Sequence, residues 1–275
     1  MPKSHEHSIF NERGMSLIEA LVGVAIASLV LAACYGSYVV VTGYYRTQTD
    51  LSNVRQTVRQ ALETLSRDIR MAGFVYLETT GGSIAEPLRT TNGGAPGCPG
   101  CDTLKLVFDK CTQAGAGMSA ICNTPAQFTR RLVVYEVKQC PTGSPITRTT
   151  RLCRTVYECP AGRSCGDTNM SSGWRCPQGT ACNGSPIADN VDDLQFALKT
   201  SESLALPAGN GASAHSIDIG LIMVTKGEHG NTRQLTLPGN WRTNFQSPYQ
   251  PPTDRFIRDW GMLSIMLRNN AYAQG

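Results

Sequence analysis

The chain has 275 residues, 41% of them hydrophobic and 17% charged, with a net charge of +4 from 25 Lys and Arg against 21 Asp and Glu. This composition supports a buried core, excludes a wholly disordered chain, and leaves too little charge to define a nucleic-acid binder. Only four histidines occur, two of them His5 and His7, which argues against a histidine-based active site; eleven cysteines stand out instead.

From Ala20 to Tyr45 no residue is charged. A helix rises about 1.5 Å per residue, so this stretch can cross a hydrocarbon core of about 30 Å. A polar segment, Met1–Gly14, comes first, and Glu19 sits at the head of the apolar run. A carboxylate near the membrane interior costs about 2.5–3.5 kcal/mol and calls for a purpose. Beyond the span, Leu51, Val54, Val58, Ala61, Leu62, Leu65, Ile69 and Ala72 recur at steps of three and four, marking one helix face. Asp50, Arg55, Arg59, Glu63, Arg67 and Arg70 occupy the other faces, and Gly73 is a natural C-cap. One helix over 15–73 is expected, transmembrane over 15–45 and amphipathic over 46–73.

Arg13-Gly14-Met15-Ser16-Leu17-Ile18-Glu19-Ala20-Leu21-Val22 resembles the processing site of type IV prepilins and pseudopilins. The resemblance implies cleavage of a 1–14 leader after Gly14 by prepilin peptidase. It also implies methylation of the new amino terminus at Met15, and a role for Glu19 in setting the register between subunits. A rival reading is the lipobox-like Leu31-Ala32-Ala33-Cys34, with lipid attached at Cys34. Glu19 and the continuation of the apolar run past Cys34 disfavour it. Further on, Leu65–Phe74 resembles the helix end of PilW-type minor pilins, and Met266-Leu267-Arg268-Asn269 resembles their closing strand.

The remainder, 74–275, reads as an extracytoplasmic β-rich head. Strand-like runs appear at Thr103–Phe108, Phe128–Val137, Ile146–Val156, Leu194–Lys199, Ser216–Thr225 and Leu263–Arg268, separated by Gly- and Pro-rich connections. The expected fold class is α+β, with the long N-terminal helix packed on an antiparallel sheet that carries a disulfide-rich insertion at 98–182. Ten cysteines, Cys98, Cys101, Cys111, Cys122, Cys140, Cys153, Cys159, Cys165, Cys176 and Cys182, form the candidate disulfide framework, with connectivity left open. Zinc is the competing reading at Cys98-Pro99-Gly100-Cys101, but no second C-x-x-C accompanies it. Redox chemistry of the thioredoxin kind lacks its βαβ unit.

Asp189, Asp192 and Asp193 do not fit a calcium loop and are expected to be solvated turn carboxylates. Eight basic residues between Arg130 and Arg175 (Arg130, Arg131, Lys138, Arg148, Arg151, Arg154, Arg163, Arg175) face Glu136, Glu158 and Asp167. This 130–175 stretch is expected to be a solvated strand face, with contact to DNA phosphates as the alternative. No catalytic, cofactor or metal residue is assigned, and no enzyme activity is expected.

The resemblance implies a minor pilin that primes assembly of a type IV pilus or joins its tip complex. Its implied partners are the major pilin, other minor pilins, prepilin peptidase, the inner-membrane assembly platform and a tip adhesin. The implied location is the inner membrane, single-pass with a periplasmic head, and then the pilus at the cell surface. The alternatives are a J-type pseudopilin of type II secretion and a DNA- or surface-binding tip module.

Overall fold

A computed structural model describes residues 16–76, 83–95, 98, 100–111, 127–138, 150–160, 163, 165–170, 173–177, 182–200, 205–206, 208–209, 211, 213–229, 232, 234–239, 241–245 and 249–267. The chain divides into two units between Thr49 and Asp50. Helix α1 spans Leu17–Met71. It stops where Gly73 adopts a left-handed φ of 75°, and the Gly73 N–H donates to the Val107 carbonyl at 2.9 Å. A side chain would resist that conformation, so glycine fixes the helix end.

In the second unit, Val54, Val58, Ala61, Leu62, Leu65, Asp68 and Ile69 form the buried face of α1. The expected three-and-four stripe is therefore the packing face, with Asp68 as its one charged member.

The head holds two antiparallel sheets rather than the single one expected. The first has order β1-β2-β3-β4-β5, built from Leu88–Thr91, Thr103–Cys111, Phe128–Lys138, Arg151–Glu158 and Ser185–Asp189. The second has order β7-β6-β8-β9, built from Val191–Lys199 (β6), Ala205–Leu206 (β7), Ser216–Val224 (β8) and Arg258–Met266 (β9). Asn190, with φ 59°, makes the switch between them, and asparagine tolerates that region better than most residues.

Alternation along the strands sets the layers. Leu104, Leu106 and Phe108 of β2 and Val133, Tyr135 and Val137 of β3 join the core that contains the α1 stripe. Ile217, Ile219, Leu221 and Met223 of β8 join the same core. The intervening Val107, Leu132 and Val134 face a second cluster with Ile84, Cys165 and Trp174. The cysteine-rich stretch is thus threaded through the first sheet, supplying β2, β3 and β4, and part of it also covers that sheet's second face. On the outer side of the second sheet, a short helix α2, Trp241–Phe245, packs its Trp241 and Phe245 rings with centroids 5.0 Å apart.

Two strand glycines permit these close approaches. A Cβ on Gly261 would lie 2.5 Å from Val58 Cγ1 and 2.7 Å from Leu62 Cδ1 of α1. One on Gly220 would lie 2.7 Å from both Phe245 and Trp241.

Candidate functional site

The first unit presents a helix surface with no protein covering it. Leu17 is 78% exposed, Leu29 72%, Val40 72% and Tyr45 67%. By length and composition α1 can cross a membrane, and none of its most apolar window is buried. Its hydroxyls make few demands on an apolar surrounding. Ser28 donates to the Ala25 carbonyl at 2.8 Å, Ser37 to Ala33 at 3.0 Å, and Thr42 to Tyr38 at 2.8 Å. These local bonds, added to the helix's own backbone bonds, satisfy polar groups that lipid could not. Glu19 lies in the first turn, and among the described residues it has no ion-pair partner. Gly14 and Met15 lie outside the described residues.

The second unit turns most of the expected basic face into ion pairs. Arg130 and Asp109 are both buried and meet at 2.8 Å. Arg131 pairs with Glu158 at 2.7 Å, Arg151 with Asp189 at 2.7 Å, and Lys138 with Glu136. Arg154 Nε reaches Asp68 Oδ2 at 2.7 Å, and the buried Tyr135 hydroxyl donates to the same oxygen at 2.7 Å. Burial first, and then the Asp68 charge, hold the Tyr135 phenol far above its ordinary range, so it remains a neutral donor. The solvated-face expectation is corrected. Antiparallel pairing places carboxylates opposite three of these bases, Asp109 against Arg130, Glu158 against Arg131 and Asp189 against Arg151, so among the described residues most of this stretch's charge is locally matched. Arg163 and Arg175 are exposed, while Arg148 lies outside the described residues.

Of the aspartates after Ala188, Asp189 stays exposed as expected, whereas Asp192 and Asp193 are drawn in. Asp192 accepts from Arg258 Nε at 2.6 Å and from the Tyr249 hydroxyl, while Asp193 is 1% exposed and accepts from Gln195 Nε2 at 2.7 Å. Asp189 takes part in the Arg151 pair. The reading as solvated turn carboxylates fails for Asp192 and Asp193 because β6 begins at Val191 and draws them into the sheet, while the exposed Asp189 ends β5.

Disulfides join Cys98 to Cys101, Cys159 to Cys165 and Cys176 to Cys182. Cys111 and Cys153 are also disulfide-bonded, and Cys122 and Cys140 lie outside the described residues. Among the described residues the free thiol is Cys34, which is exposed.

The sequence reading missed Asp68 and Asp102. Asp68 shares the phase of Ala61, Leu65 and Ala72, and a carboxylate in an apolar stripe was its available signal. Asp102 lies at the seam of the two sheets and is 2% exposed. Its carboxylate accepts the Gly93 N–H at 3.0 Å and the Phe196 N–H at 2.9 Å. Burial pushes the Asp102 carboxyl up to about 6, against the pull of those two amides toward its charged form.

Residues 9–35 match the family described as the prokaryotic N-terminal methylation motif. A search of curated proteins gave no match. Among solved structures the chain is similar to a type IV-like pilin from Thermus thermophilus, with 15% identity and a TM-score of 0.46, covering 78% of this chain and 96% of that one. A prokaryotic N-terminal methylation motif therefore leads into an exposed apolar helix that by length and composition can cross a membrane.

Proposed function

We propose that the chain is a minor pilin of the PilW type. The observation that carries this reading is the methylation motif at 9–35 placed at the head of an uncovered apolar helix with Glu19 in its first turn. Prepilin peptidase cuts after Gly14 and Met15 is methylated. The apolar half of α1 holds the protein in the inner membrane, single-pass, with residues 74–275 in the periplasm. The subunit is then drawn into a type IV pilus, where it primes assembly or takes part in the tip complex beside other pilins. Its work is assembly rather than catalysis.

Glu19 needs a cation, and none lies in the apolar span. The processed amine of Met15 on a neighbouring subunit supplies one, neutralising both charges and fixing axial register. The test is N-terminal and intact-mass analysis of the membrane-extracted protein. A methylated Met15 supports the reading, and an acylated Cys34 overturns it. Deletion should abolish twitching motility; loss of protein secretion instead would identify the J-type pseudopilin.

A further inference from the structure

The fold brings two distant parts of the chain together at the seam between the sheets. Cys98 and Cys101 lie ahead of β2, while Asp193 lies in β6. The two Sγ atoms and an Asp193 carboxylate oxygen all fall within 4.8 Å of one another. Sequence spacing offered only two ligands here; the third comes from the seam, where the Asp102 N–H donates to the Leu194 carbonyl at 2.8 Å and holds β6 beside the turn ahead of β2. Cys101 and Asp193 are buried, whereas Cys98 is half-buried and leaves a path for entry. Gln195 Nε2 donates both to Asp193 Oδ1 at 2.7 Å and to the Gly100 carbonyl at 2.8 Å. One side chain therefore orients the carboxylate and ties it to the turn that carries the sulfurs, which is how outer partners support metal ligands.

We propose that reduction of the Cys98–Cys101 bridge opens a site for one soft divalent cation such as Zn²⁺, held by Cys98, Cys101 and Asp193. The chemistry balances in two steps. A dithiol gives two electrons and two protons to the S–S bond and becomes a disulfide itself. The two new thiols then release two protons to solvent as their thiolates bind the cation, with Asp193 as the third ligand and water in the fourth position. Tetrahedral bonds of about 2.3 Å require the sulfurs to stand about 3.8 Å apart, so the side chains must rotate outward once the bond is broken. Their Cα atoms, 5.2 Å apart, need not separate for that rotation. Oxidation closes the site, because a disulfide sulfur carries no thiolate charge to offer.

The experiment uses the full chain in detergent micelles, reduced with a phosphine and then titrated with Cd²⁺, read by thiolate-to-cadmium absorbance. One equivalent should disappear in the double variant Cys98→Ser, Cys101→Ser, and Asp193→Asn should weaken that equivalent by about tenfold or more. The same samples are alkylated and mapped by mass. Cd²⁺ should protect Cys98 and Cys101 in the parent chain and protect them less in Asp193→Asn. Equal stoichiometry in the parent and the double variant overturns the proposal. So does equal protection in the parent and Asp193→Asn, which is also the outcome if reduction unfolds the seam.

Discussion

Asp68 is the charged member of the packing face of α1, and replacing it with alanine tests how that helix is held to the first sheet. Its side chain is 12% exposed, and one oxygen accepts both the Tyr135 hydroxyl and Arg154 Nε. Removing the carboxylate strands a fully buried hydroxyl, at about 1–3 kcal/mol. It also leaves Arg154 without its partner, although that side chain is 25% exposed and water recovers part of the loss. A total of about 3–4 kcal/mol is expected, somewhat below the upper range for breaking a wholly buried pair. Tyr135→Phe removes only the donor, leaving Asp68 still held by Arg154, and should cost about 1–2 kcal/mol.

Once Asp68 is gone, the Tyr135 hydroxyl has nothing to lose. The double variant should therefore cost at least about 1–2 kcal/mol less than the sum of the singles, since phenylalanine also removes the stranded hydroxyl. The measurement is urea unfolding of the disulfide-intact chain in micelles, followed by tryptophan fluorescence; Trp174, Trp241 and Trp260 all lie in the head. A loss below about 1 kcal/mol for Asp68→Ala, or strict additivity in the cycle, would refute the reasoning.

Gly261→Val should destabilise the head by at least about 1–3 kcal/mol in the same assay, because its side chain would enter the space of Val58 and Leu62. An unchanged unfolding midpoint would show that β9 and α1 do not meet as described. The Asp102 carboxyl is raised from 3.8 to about 6 in the folded chain. Its contribution to stability is therefore present below pH 3.8 and lost as pH rises through about 6. With the Cys98–Cys101 bridge intact, the stability of the parent relative to Asp102→Asn should fall by about 2–3 kcal/mol between about pH 4 and pH 7. A flat difference would remove that carboxyl from the pH response. Glu19→Ala should be inserted and cleaved but enter sheared filaments poorly, since an unpaired charge costs about 3–5 kcal/mol in such surroundings. Parent-level incorporation would sink the register role.

Several elements were legible because their signal is local. The α1 stripe and Gly73 announce the helix and its end, and β2, β3, β6 and β8 show in runs of apolar and β-branched residues. Pairing is not local. Nothing in Leu194–Lys199 or Ser216–Val224 says that they form a separate sheet from Thr103–Cys111. The strand Ser185–Asp189 is hidden because Pro186 weakens its pattern, although an edge position tolerates proline. The charges were misread for the same reason. Arg154 and Asp192 look solvated when only their neighbours in sequence are considered. Their partners, Asp68 and Arg258, lie 86 and 66 residues away. The methylation motif is legible in full because its residues are contiguous.

The three described bridges with assigned partners close over sequence separations of only 3, 6 and 6 residues. Loop-closure entropy makes such short clips worth about 2 kcal/mol each, less than bridges that join remote strands. Their brevity governs the order of events instead. Each pair can oxidise while the rest of the head is still a coil, because its two thiols meet through local motion alone. Long-range strand pairing then proceeds on a chain in which these six cysteines are already engaged. A head built in this way does not have to find its sheets before these bonds form, nor exchange them afterwards to reach the native arrangement.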